Sequence, residues 1–121
     1  MDRESWKKKI TDACRDAGTY RPYFDSIIET LAETMEMRDD ARQKFYDSGG
    51  QTIVMHTNKG GATNIVKNPA LVVVDDLNKT ALAYWRDLGL TPAGLKRINE
   101  KAMEEKSGRA SFADVLRDIG I

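Results

Sequence analysis

Hydrophobic positions in the first fifty residues recur at helical spacing. Trp6, Ile10, Ala13, Cys14 and Ala17 follow one another by fours and threes, which predicts a short helix with one apolar stripe ending at Gly18. Lys7, Lys8 and Lys9 fall mostly off that stripe. Pro22 suits the first turn of a second helix, in which Phe24, Ile28, Leu31, Met35 and Phe45 form a near-heptad seam with Ile27 beside it. The seam turns polar at Arg38 and Arg42, and Gly49-Gly50 close it. Residues 21–48 therefore predict a rod of about 28 residues and roughly 42 Å, too long to be buried within one small protomer.

The pattern then changes period. Gln51 to Thr57 is β-branched and apolar, Asn58 to Gly61 is turn-forming, and Ala62 to Lys67 is strand-like again, which predicts a β-hairpin over residues 51–67. Asn68 and Pro69 can open a third helix, with Val74, Leu77, Ala81, Trp85 and Leu88 at helical spacing up to Gly89. The run Leu71 to Val74 also suits a strand, but the Asn-Pro start and the spacing beyond it favour a helix. Thr91 and Pro92 restart a fourth helix with Leu95, Ile98 and Ala102 on its apolar side and Lys96, Arg97 and Lys101 on the other. Lys106 to Ala110 reads as a joint, and Ser111 with Asp114 as a capping box for a last helix carrying Phe112, Val115, Leu116 and Ile119.

The expected fold class is mainly α. The rod at 21–48 packs antiparallel to the helix at 69–88 as a long helical hairpin, with the small β-hairpin at one end and short N- and C-terminal helices. Three parts follow: an N-terminal helix over 1–19, a central body with the oligomerisation surface over 20–106, and a tail helix over 107–121.

Composition narrows the function classes. The 121 residues are 40% hydrophobic and 31% charged, which suits a soluble helical domain or a protomer that completes its burial in an oligomer. Nineteen basic side chains balance nineteen acidic ones, so any nucleic-acid contact must come from a local patch. Residues 1–50 hold 9 basic and 11 acidic side chains, residues 51–74 hold 2 and 0, and residues 75–121 hold 8 and 8. A single cysteine, Cys14, and a single histidine, His56, allow no intrachain disulfide and no zinc site. No apolar stretch reaches the length of a membrane span or a signal segment, so a cytoplasmic protein without a membrane partner is expected.

Candidate chemistry is sparse. Lys59-Gly60-Gly61 followed by Val72 to Asp76 superficially suggests a phosphate loop and a magnesium-binding strand. It lacks the Lys-Ser/Thr pair, however, and leaves too few residues for a crossover helix, so a plain hairpin turn is expected. His56 lacks a catalytic partner, Cys14 sits on an apolar stripe, and the adjacent pairs Asp39-Asp40 and Asp75-Asp76 point apart on a helix and read as solvated surface. No catalytic constellation and no cofactor site emerge, which argues against an enzyme. Ala81 to Asn99 has the outline of a helix-turn-helix, although Trp85 stands where a small residue would let the helices cross closely. A dimeric helix-turn-helix transcriptional regulator, with Lys96, Arg97 and Lys101 on DNA, is thus an alternative.

Gly18-Thr19-Tyr20, the helix start from Tyr23 to Leu31, Gly49-Gly50, His56-Thr57-Asn58-Lys59, Lys67-Asn68-Pro69 and above all Leu88-Gly89-Leu90-Thr91-Pro92-Ala93-Gly94-Leu95 resemble the small subunit of tailed-phage terminases over about residues 6–105. The resemblance implies a non-enzymatic ring that recognises viral double-stranded DNA and regulates the large terminase subunit, which holds the ATPase and nuclease, in the cytoplasm of the infected bacterial host. In such a ring Lys7, Lys8, Lys9, Arg15 and Lys96 would share a salt-sensitive DNA contact, because a neutral protomer can still repeat a basic cluster once per subunit. Phe24, Ile28, Leu31, Met35, Val74, Leu77, Trp85 and Leu88 are expected to form the core and the oligomerisation surface.

Overall fold

The structure, a computed structural model, describes residues 1–101. Its elements are α1 (Arg3–Asp16), α2 (Asp25–Asp47), β1 (Ile53–Thr57), β2 (Thr63–Lys67) and α3 (Pro69–Asp87), and residues 92–101 are helical. The expected tail helix at 107–121, its capping box, the joint before it and Ala102 lie outside the described residues.

Local sequence explains where the elements begin. Asp2 caps α1 by accepting the Ser5 amide at 2.8 Å, and Asn68 caps α3 by accepting the Ala70 amide at 3.0 Å with Pro69 in the first turn. The valine run that also suited a strand lies inside α3. The expected rod over 21–48 is shorter than predicted. Pro22–Phe24 forms a 3-10 turn, closed by the Phe24 amide on the Arg21 carbonyl at 2.9 Å, and α2 proper has 23 residues. At 1.5 Å per residue it spans about 35 Å. The three helices α1 to α3 end alike. A glycine with positive φ (Gly18, Gly49, Gly89) follows the cap, and the next amide reaches back to a carbonyl in the last turn.

Helix α1 covers only part of α2. The Arg3 amide donates to Glu36 at 2.6 Å and the Trp6 indole to Asp39 at 2.7 Å. Arg38 of α2 in turn donates to Asn78 of α3 at 3.1 Å. Between these three helices lies one apolar cluster, in which Ile10, Cys14, Ile28, Leu31, Ala32 and Leu88 are fully buried and Trp6, Met35 and Ala81 nearly so. Tyr20, Phe24, Ile27, Tyr84, Trp85 and Leu90 pack around it.

The hairpin is antiparallel with Val54 opposite Val66, Met55 opposite Ile65 and His56 opposite Asn64. Side chains alternate between its faces. Val54 and Val66 share the half-buried inner face, whereas Ile53, Met55 and Ile65 share an outer face that is largely exposed. Its base is fixed to α3. The Asn68 amide donates to the Thr52 carbonyl at 2.9 Å, the Asn68 side chain to the Gln51 carbonyl at 2.8 Å, and Lys67 to Asp75 at 2.6 Å. At the tip, Asn58 organises a tight turn by accepting the Ala62 amide on its side chain at 3.0 Å, and no helix follows the glycines to make a phosphate loop.

Candidate interaction surfaces

Lys7, Lys8, Lys9 and Arg15 all lie on α1, but the helix does not present them as an unbroken basic stripe. A shallow depression on its surface is lined by Lys7, Lys8 and Arg15 together with Glu4, Thr11 and Asp12, and a second by Lys8 and Lys9 with Asp12 and Asp16. Two of the cations also rest on aromatic rings. The Lys9 ammonium lies 5.0 Å from the Trp6 ring centre, and the Arg15 guanidinium 4.9 Å from that of Tyr20. Tyr20 itself donates to Asp25 at 2.9 Å, which with burial pushes its hydroxyl above the usual range.

The corner between α3 and the helix at 92–101 is tighter than Trp85 led us to expect. Gly89 has φ +74°, and a Cβ there would stand 2.6 Å from the Ile98 methyl and 2.8 Å from that of Thr19. Gly94 lies so close to α3 that a Cβ would collide with the Arg86 carbonyl. The close approach is therefore made by a glycine on the second helix, while Trp85 turns its ring onto the apolar cluster. Thr91 caps this helix by accepting the Gly94 amide at 3.1 Å. Lys96, Arg97 and Lys101 are exposed on it, with Lys96 3.9 Å from Glu100. Thr19 follows α1 and Ile98 sits in the corner helix, so Gly89 is where the C-terminal end of α1 and the corner meet.

The residues expected to serve core and assembly divide in two. Ile28, Leu31, Met35, Val74 and Leu88 are buried within the protomer, whereas Phe24, Leu77 and Trp85 are half-buried at its margins. Cys14 is fully buried, and burial pushes its thiol up, as suits a packing residue. His56 is exposed opposite Asn64.

The expectation of solvated surface for both aspartate pairs needs correction. Asp39 accepts from the Trp6 indole and, at 3.0 Å, from Arg38, with the N-terminal amine 3.5 Å away. Burial alone would raise its pKa, but the Trp6 and Arg38 hydrogen bonds and the two cations outweigh that and hold the carboxyl below the usual range. Its neighbour Asp40 does face solvent and pairs with Lys44 at 2.9 Å. Asp75 is half-buried against Lys67, and Asp76 is exposed. Asp39 escapes a sequence reading because its partner Trp6 lies 33 positions away.

Two features went unassigned. Gly94 left a faint signal, a glycine early in a helix where alanine would be more stable. The outer face of the β-hairpin, Ile53, Met55 and Ile65, was legible in the two-residue alternation, although neither face could be placed outward from sequence. Among the described residues no group of three His, Cys, Asp or Glu is placed to hold a metal ion, and no helix is long and apolar enough to cross a membrane.

Comparison with known proteins adds one finding. No curated protein and no solved structure matches the chain. The family model described as "Phage terminase, small subunit" matches residues 3–105, that is, α1, α2, the β-hairpin, α3 and the corner with its helix. With the greater part of the sequence and every described element but the cap of α1 inside that match, the chain belongs to the phage terminase small-subunit family.

Proposed function

We propose that this protein is a non-enzymatic, ring-forming component of a viral genome-packaging motor, which recognises viral double-stranded DNA and regulates the large terminase subunit in the cytoplasm of the infected host. The family match over residues 3–105 carries this reading. The protomer adds two supports: an apolar face left bare on a rigidly held hairpin, and a compact corner with cations on its outer side.

Of the two basic clusters, the corner helix is the better DNA surface. On α1 the lysines alternate with Glu4, Asp12 and Asp16, so phosphates approaching Lys8 also meet carboxylates. Lys96, Arg97 and Lys101 share their surface with Glu100 alone among the charged residues at 92–101. Phosphate contacts add up around a ring, so binding should fall steeply with salt. Arg97→Ala should weaken binding to packaging-site DNA more than Lys8→Ala does, in a fluorescence-anisotropy titration at two salt concentrations. Equal effects would return the contact to α1.

The tight corner also favours a second reading, a dimeric helix-turn-helix regulator. Mass in solution separates the two. A species many times 13.6 kDa that co-purifies with the large subunit supports the packaging role, whereas a dimer whose DNA binding resists unrelated competitor supports the regulator.

A further inference from the structure

The strongest feature left unused by the reading above is a pair of apolar surfaces that fit each other and cannot meet within one chain. The first is a ridge. Ile53 is 58%, Met55 67% and Ile65 69% exposed, side by side on the outer face of the hairpin. A lone two-stranded ribbon is marginally stable in water, and this one is anchored at its base by Asn68 and by the Lys67–Asp75 pair. It is thus held out in a fixed orientation with its apolar side bare.

The second surface is a groove. Met37, Ala41 and Lys44 of α2 face Ala70, Val73 and Leu77 of α3 around a hollow of about 440 Å³, with Asp40 on its rim. The groove lies where α1 no longer covers α2, since the polar contacts from α1 reach no further along α2 than Asp39. Met37 and Val73 are about half exposed there.

Charge matches the two surfaces. The hairpin segment 48–68 carries Lys59, Lys67 and His56 and no carboxylate. The helix stretches that flank the groove, residues 36–47 and 69–79, carry six carboxylates against four cations. An apolar ridge in a basic setting and an apolar groove in an acidic one fit a second copy of this chain. Ridge and groove are different patches, so the contact is heterologous, the kind that closes into a ring when the rotation allows.

We propose that the outer face of the β-hairpin, Ile53, Met55 and Ile65, seats in the α2/α3 groove of a neighbouring copy. The proposal rests on the ring reading and specifies the contact that builds it.

The test uses full-length protein. Met55→Glu and Val73→Glu alter exposed side chains, so each keeps its helical circular dichroism, yet each falls from the wild-type assembly to the 13.6 kDa protomer in light scattering. A chain carrying Ile65→Cys and Val73→Cys gives a ladder of disulfide-linked oligomers on mild oxidation, whereas each single-cysteine variant gives none, because Cys14 is buried. Folded Glu variants that still assemble, or single-cysteine variants that cross-link as well as the double variant, overturn the contact and leave the ring reading intact. A wild-type chain that is monomeric overturns both. Variants that assemble but lose the large subunit also overturn it, and assign the hairpin face to that partner instead.

Discussion

The helical body around α1 and the hairpin end place apolar residues in opposite ways. In the body, a stripe from each of three helices meets in one cluster, and Ile10, Cys14, Ile28, Leu31 and Leu88 are fully buried. At the hairpin end α1 is absent, Ala41, Phe45 and Val74 form only a thin interior, and Ile53, Met55, Ile65, Val73 and Tyr46 stay exposed. The chain could have covered that end with a longer α1 and did not. A protomer whose body is sealed and whose far end is bare has divided folding from association. Stability comes from the first, and the second is free to bind.

The sharpest way to break that contrast is to place a charge in each region. Leu31→Asp removes a fully buried side chain and leaves a carboxylate without a partner, at a cost of about 4 kcal/mol or more, close to the whole stability of a small domain. It should give an unfolded chain by circular dichroism. Met55→Glu, on the bare hairpin face, should move the thermal midpoint of the isolated protomer by little, within about 0.5 kcal/mol. If the two variants are equally destabilised, the hairpin face is part of the folding core and the division fails.

Next in size is the corner. Gly94→Ala must push α3 and the following helix apart, because the new methyl meets the Arg86 carbonyl rather than a yielding side chain, and the cost should be about 1–3 kcal/mol. The loss belongs to the body, since Thr19 and Ile98 close the same corner around Gly89. Urea unfolding should show a lower midpoint together with weaker DNA binding. An unchanged midpoint would mean that the helices do not cross this closely.

Local signals carried most of the fold. Capping by Asp2 and Asn68, glycine stops at Gly18, Gly49 and Gly89, and stripes at threes and fours were enough to place α1, the hairpin, α3 and the restart at Pro92. The start of α2 slipped by a turn because proline suits a 3-10 turn as well as an α-helix start. What the sequence withheld was pairing at a distance. Which helix shields the seam of α2, that Asp39 is a partner of Trp6, and which face of the hairpin looks outward all depend on residues more than ten positions apart. The DNA surface was harder still. Lysines can be counted in a sequence, but whether carboxylates stand between them is a property of the folded face.

The smallest expected effect tests the seam between the two regions, where Trp6, Arg38 and Asp39 tie the start of α1 to α2 just before its cover ends. Because the Asp39 carboxyl is held below the usual range, its charged form stabilises the fold. That contribution is fully present above the unfolded carboxylate value of about 3.9 and is lost as pH falls through the lower folded value. Asp39→Asn keeps an acceptor for the indole and gives up the charge, so it should cost about 1 kcal/mol at pH 7. The gap between variant and wild type in urea midpoint should then close as the pH is lowered toward 3. Trp6→Phe should show a loss of similar size that also narrows in acid, since the hydrogen bond it removes is made to the ionised carboxylate. A gap that stays constant with pH would show that α1 is held by its apolar stripe alone, and that its cover over α2 ends at Asp39 for want of apolar residues rather than because an ion pair fixes it there.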